Sequence, residues 1–165
     1  MLEAIAAADL LVICPGSLFT GIVPVLLHAG VASACAESRA RCVYVCNLMT
    51  QPGQTDGFTA AQHVAVLERY LGAAGPMSSS STPAPYPPRC SIFTPATALS
   101  PVVNDLAGDA VWAADVAAWP AAEALQAYAR PAGKGMHVGL HLIRHDPHKL
   151  AAQLEALLPA CGGRR

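Results

Sequence analysis

Apolar residues recur along the chain in two rhythms. Leu2, Ile5 and Ala8 stand at helical spacing, and the run Leu10 to Cys14 that follows is continuously apolar until Pro15 and Gly16 end it. A strand that is apolar on both faces belongs in a parallel sheet covered by helices on each side. Leu18 to Leu27 is apolar again, broken by Gly21 and Pro24 into two short turns. His28 to Arg39 continues helically, and Arg41 to Cys46 supplies the next strand. Strand, helical crossover and strand make a βαβ unit with a parallel pair.

Asn47 to Phe58 is polar, with turn signals at Pro52-Gly53 and Asp56-Gly57. Thr59 is placed to cap a helix to Leu71 that carries Ala60, Val64, Leu67 and Leu71 on one face. Residues 72–88 are rich in Gly, Ser and Pro and bury too little to hold a fixed form, which predicts a flexible insertion. Beyond it, Cys90 to Phe93, Ala110 to Ala114 and His137 to Arg144 are strand-like, and Ala121 to Ala129 is helical. Asp146 as N-cap and Pro147 at the first helical position open a last helix through Leu158. The fold class expected is α/β, a parallel sheet with flanking helices.

Composition narrows the function classes. The 165 residues are 53% hydrophobic and 13% charged, and 10 Lys and Arg against 11 Asp and Glu leave a net charge of -1. One domain with a sizeable core is implied, without the positive field that would draw nucleic acid or an anionic membrane. The apolar runs fall short of the roughly 20 residues that span a bilayer, and the N-terminal MLEAIAAADL is acidic where a signal peptide is basic. A cytoplasmic protein is expected, with no nucleic-acid or membrane partner. The six cysteines are too sparse for a disulfide scaffold and are expected reduced.

Two loops carry the candidate chemistry. In an open parallel sheet, ligands bind beyond the carboxyl ends of the strands. Gly16, Ser17 and Thr20 follow the first strand, where free backbone N–H groups and hydroxyls could meet an anion. Asn47, Thr50, Gln51, Asp56 and Gly57 follow the second and converge on the same edge, with amides that could read a base or sugar and a carboxylate that could accept from a hydroxyl. No nucleophile, acid or base set is recognisable, so no catalytic residue is assigned and a nonenzymatic protein is the leading expectation. His137, His141, His145 and His148 are spaced 4, 4 and 3, but on a strand they stand too far apart to share an ion, so no metal site is expected. Arg41, Arg144 and Lys149 are the cations that could meet a phosphate.

Leu10 to Thr20 (LLVICPGSLFT), Tyr44 to Gly57 (YVCNLMTQPGQTDG) and His145 to Ala151 (HDPHKLA) resemble the gluconeogenesis factor family, which is related to the 2-phospho-L-lactate transferases. The resemblance covers about residues 1 to 71 and 136 to 157. It implies a Rossmann-like core, a regulatory protein that binds a nucleotide sugar of the UDP type, and a role in growth and cell shape on gluconeogenic carbon sources. For the transferase branch it implies transfer of a nucleotide group onto 2-phospholactate with Mg2+. It further implies ligand contacts at Gly16, Ser17, Thr20, Asn47 and Asp56, with Met49 packed beneath the loop.

Members of that family begin with a strand and a GGGTG-like phosphate turn that this sequence lacks. The expectation is therefore a C-terminal half: a partial Rossmann-like domain over residues 1–165, incomplete at its N-terminus, completed by a missing N-terminal half or a homo-oligomer. On that view the isolated chain binds nucleotide weakly or not at all, and an inactive truncated remnant stands beside the transferase as an alternative.

Overall fold

The computed structural model describes residues 1–72, 78–81, 101–106, 111–118 and 143–161. Helix α1 (Leu2–Ala7) leads into strand β1 (Leu10–Ile13). A single π-helical turn (Leu18–Ile22) passes into the short helix α2 (Val23–Leu26), whose Pro24 sits in the first turn, where a missing N–H costs nothing. Gly30, in the left-handed region at φ 83°, starts α3 (Val31–Glu37), and β2 (Arg41–Val45) follows. The predicted βαβ unit is present: β1 and β2 are parallel, with Leu10 opposite Arg41 and Ile13 opposite Tyr44.

Helix α4 (Ala60–Leu71) is started by a complete capping box. Gln62 N–H donates to Thr59 Oγ1, and Thr59 N–H donates back to Gln62 Oε1. The next two N–H groups are satisfied from far along the chain: Ala60 donates to the Val103 carbonyl and Ala61 to the Asp105 carboxylate, both at 2.9 Å. Asp105 is held below the usual carboxylate range by that N–H. Residues 101–106 thereby run from a bridge at Met49 and Pro101 to the mouth of α4.

Strands β3 (Ser78–Ser81) and β4 (Val111–Ala113) extend the sheet, all neighbours parallel, in the order β1-β2-β3-β4. Strands β5 (Ala117–Ala118) and β6 (Arg144–His145) form a separate antiparallel pair. Helix α5 (Pro147–Cys161) begins where expected: Asp146 Oδ1 accepts from the N–H groups of His148 and Lys149.

The fold is thus a mixed, mostly helical α/β arrangement, and the expectation of a Rossmann-like parallel sheet incomplete at its N-terminus is corrected. The main sheet's strands have only three to five residues. Among the described strands its order steps one way without reversing, and a second sheet is antiparallel. The longest continuously described stretch is residues 1–72. Of the segment 72–88 expected to be flexible, only Gly72 and the strand Ser78–Ser81 are described. The expected strand at Cys90 to Phe93, the helix at Ala121 to Ala129 and most of the strand at His137 to Arg144 lie outside the described residues. Among the described residues no single helix is long and apolar enough to cross a membrane.

The core gathers around β2. Cys42, Val43, Tyr44, Val45 and Cys46 are all buried, while β1 at the sheet edge is only half-buried along its length. Leu18, Leu26, Val31, Ala60, Leu67 and Leu71 close over Tyr44 and Cys46. Leu67 is fully buried and Leu27 is 65% exposed, so truncating them should differ sharply. Leu67→Ala should lower the unfolding free energy by about 3 kcal/mol through lost burial and a residual cavity. Leu27→Ala should stay within about 0.5 kcal/mol of the parent. Urea denaturation of the two variants checks both.

Candidate functional site

Two loops leave the carboxyl ends of β1 and β2, and one side chain fastens them. Asn47 Oδ1 accepts from Gly16 N–H at 3.0 Å, and Asn47 Nδ2 donates to the Gly16 carbonyl at 2.8 Å. The side-chain amide thus pairs with both polar groups of one glycine, as one peptide group pairs with another across a ladder. An added Cβ on Gly16 would meet nothing nearer than Ile22 at 3.9 Å, so the glycine is not required for space at that point. Asparagine is required, because it offers an acceptor and a donor side by side.

A second contact lies beside the first. Ser17 donates its hydroxyl proton to Gln54 Oε1 at 2.8 Å, and Thr20 Oγ1 lies 2.5 Å from Ser17 Oγ. These residues occupy the entry of the π-helical turn, where Gly21 and Ile22 both donate to the Ser17 carbonyl. The Ser17 side chain makes no capping bond, so its hydroxyl serves the neighbouring loop and not its own turn.

The 47–58 loop is stitched internally. Gln51 N–H donates to Thr55 Oγ1 at 2.8 Å, its carbonyl accepts from the N–H groups of Gln54 and Thr55, and Gly53 N–H donates to Asp56 Oδ2 at 2.6 Å. Gly53 and Gly57 take φ values of +74° and +69°, which suit glycine. Of the expected ligand residues, Gly16, Ser17, Thr20 and Asn47 are therefore brought together. Asp56 and Gly57 shape the turn, and Thr50 is 1% exposed. The Gln51 side-chain oxygen is buried without a hydrogen-bond partner. Met49 packs against the cluster of Leu48, Ala117 and Ile143, as expected.

Three contributors were not in the expected ligand set. Gln54 is joined to Ser17 across 37 positions, and its signal was its place in the polar loop. Asp105 supports the start of α4, and nothing local in its sequence marks that role. His145 Nε2–H donates to the Cys46 carbonyl at 3.2 Å, 99 positions away, and so ties β6 to the end of β2 beside Asn47. Two of the expected cations lie elsewhere. Arg41 opens β2 at its opposite end, and Lys149 pairs with Asp115 at 2.8 Å and donates to the Ala117 carbonyl. His137 and His141 lie outside the described residues.

The side chains that join the two loops are uncharged, and the 47–58 loop carries one carboxylate, Asp56. Burial pushes the Cys46 thiol up to about 12 and the Cys42 thiol up to about 11, so neither is a thiolate near pH 7. Burial raises the Tyr44 phenol far above its usual range. Ser17 donates to a non-basic amide oxygen, which does not activate an oxygen nucleophile. Among the described residues no three His, Cys, Asp or Glu side chains converge as a metal set, so the Mg2+ of the transferase branch has no such set to hold it there. An open pocket of about 670 Å³ between α1 and α3, lined by Leu2, Gly30, Ala34 and Arg39 among others, includes none of the clasp residues.

Asn47→Ala removes both bonds to Gly16 and should cost about 1–2 kcal/mol, measured by urea denaturation. A second expectation concerns pH. His63 and His145 are both held below the ordinary imidazole range, first by burial, against the opposing effect of their carbonyl partners. The unfolded chain therefore binds these protons more readily. The stability they contribute is full above about pH 6.5 and is lost as pH falls through the folded values. The urea midpoint should drop between about pH 7 and 5, and the decline should be shallower in His63→Leu.

Similarity to known proteins can be set against this geometry. Residues 1–103 match the family model described as 2-phospho-L-lactate transferase CofD. A protein of Thermotoga maritima is 52% identical over 71 residues, 43% of this chain and 23% of its own length. A gluconeogenesis factor of Halalkalibacterium halodurans is 51% identical over 71 residues, 43% of this chain and 22% of its own length. A solved UPF0052 family member from Bacillus halodurans superposes with a TM-score of 0.73 at 28% identity, over 93% of this chain and 45% of that one. The matches thus span less than a quarter of those two relatives and under half of the solved chain. The expectation of a C-terminal half alone is corrected: the family match lies over residues 1–103, the N-terminal part of this chain, and does not extend to 136–157. That match includes the Gly16 turn, the Asn47 loop and α4, and by it the chain belongs to the 2-phospho-L-lactate transferase CofD family.

Proposed function

We propose that the Gly16–Asn47 edge forms part of the ligand site of a nucleotide-dependent transferase of the 2-phospho-L-lactate transferase type. The observation that carries this reading is the bidentate pairing of Asn47 with Gly16, which holds two loops of the family-matched region together at the carboxyl ends of adjacent parallel strands. A ligand at this edge would be held by neutral hydrogen bonds, with Gly16, Ser17, Thr20 and Asn47 as its nearest residues and the 51–57 loop as its rim. These residues would bind and orient a phosphorylated group. The one carboxylate of this rim, Asp56, accepts from Gly53 through one oxygen, and further acid, base or metal-holding groups would come from outside the edge.

A second reading is a regulatory protein of the gluconeogenesis factor kind that binds a UDP-sugar without transferring it. It is favoured by the 51% identity to a gluconeogenesis factor over 71 residues and by the absence of an activated nucleophile among the described groups. Both readings place the ligand at the same edge, and they differ in nucleotide and in metal dependence.

Calorimetric titration of the full chain separates them. The transferase reading predicts GDP binding that strengthens when Mg2+ is added. The regulatory reading predicts binding of a UDP-sugar that is indifferent to Mg2+. Dissociation constants above about 1 mM for both, with and without Mg2+, would contradict both and leave an inactive remnant.

A further inference from the structure

We propose that Gln54 is the side chain that meets an oxyanion of the ligand at this edge, which rests on the reading of the edge as the site of a phosphorylated ligand. Ser17 has one hydroxyl proton, and it goes to Gln54 Oε1. Thr20 must then be the donor in its contact with Ser17, so a directed relay runs from Thr20 through Ser17 to Gln54. The relay ends on an amide oxygen, and this fixes which way the Gln54 amide faces. Its NH2 group, with two protons, is turned away from Ser17 and has no acceptor among the described residues. Gln54 is half-buried, so ordering it before a ligand arrives removes part of the entropy a mobile side chain would lose on binding.

The neighbouring groups narrow the ligand's chemistry. Asn47 uses its oxygen and one N–H on Gly16, which leaves one amide proton. Thr50 and Thr55 are buried, the Gln51 side-chain oxygen is buried, Asp56 accepts from Gly53 through Oδ2 and keeps its other oxygen on the rim, and Gly57 has no side chain. The spare groups of Gln54 and Asn47 are thus N–H donors carried by neutral amides. Such an arrangement recognises an acceptor-rich group, a phosphoryl oxygen above all, and it offers a sugar hydroxyl no matching acceptor from these amides. Gln54 would select for the phosphorylated end of the ligand and leave the base and the sugar to other residues.

The probe is inorganic pyrophosphate, titrated into the 15N-labelled full chain while the Gln54 side-chain NH2 and the Gly16 and Ser17 backbone amides are followed by NMR. The NH2 signals should shift saturably. Gln54→Met, which keeps the length and removes the donors together with the acceptor of the Ser17 bond, should weaken pyrophosphate binding by about tenfold. Ser17→Ala, which frees the amide without removing its donors, should weaken binding less. Movement of the Gly16 and Ser17 amides with the Gln54 NH2 unmoved, or wild-type affinity in Gln54→Met, would overturn the assignment and leave the edge as an anion site. If none of the three signals moves, the reading of the edge falls along with the assignment.

Discussion

The pairing of one asparagine amide with the N–H and the carbonyl of one glycine is the interaction on which the candidate site depends. Asn47 stands two residues beyond β2 and Gly16 three beyond β1, and neither loop has regular structure to hold it to the other. Sheet hydrogen bonds fix the strands only as far as Ile13 and Val45. Past that point the separation of the loops is set by side chains, and Asn47 satisfies both the donor and the acceptor of Gly16 at once. The contact of Ser17 with Gln54 then brings the far side of the second loop to the same turn. With the first pairing lost, the second would have to hold a twelve-residue loop by a single bond between half-buried groups.

Beneath the loops, burial supplies the rigidity that two exposed bonds cannot. Tyr44 and Cys46 lie under α4 and the π-helical turn, with Val45 buried between them in sequence, and together they deliver Asn47 at the end of the sheet. His145 grips the Cys46 carbonyl from the other side, so the last residue before Asn47 is held by packing below and by a hydrogen bond across 99 positions. The start of α4 is fixed in the same manner, by Thr59 locally and by Asp105 from a distant segment. The polar edge is therefore a rim on an apolar block, and its groups gain little freedom when the chain moves as a whole.

Local pattern made part of this legible in the sequence. The apolar runs at Leu10 to Cys14 and Arg41 to Cys46 identify β1 and β2 because neither shows polar alternation, although burial on both faces is reached only in β2. Thr59 and Asp146 announce their helices because capping is a matter of three or four consecutive residues. Strand order and extent are different in kind: they depend on which backbone edges meet, and the Rossmann-like expectation failed there. Ser78–Ser81 pairs between β2 and β4 through peptide groups that every residue carries, so its serines give the strand no side-chain signature. In the candidate site, Gly16, Ser17 and Asn47 are legible because they follow strands. The roles of Gln54, Asp105 and His145 rest on bonds spanning 37, 44 and 99 positions, which no window of sequence contains.

The central claim is that Asn47 locks the Gly16 turn, and amide hydrogen exchange at Gly16 tests it most directly. Gly16 is solvent-exposed, and its N–H has a side-chain acceptor in place of a ladder partner. The account predicts exchange slowed by at least about tenfold relative to an open turn, because opening requires both bonds to Asn47 to break together. Exchange at the rate of an unprotected exposed glycine would contradict the lock, and with it the preformed edge on which the functional reading stands.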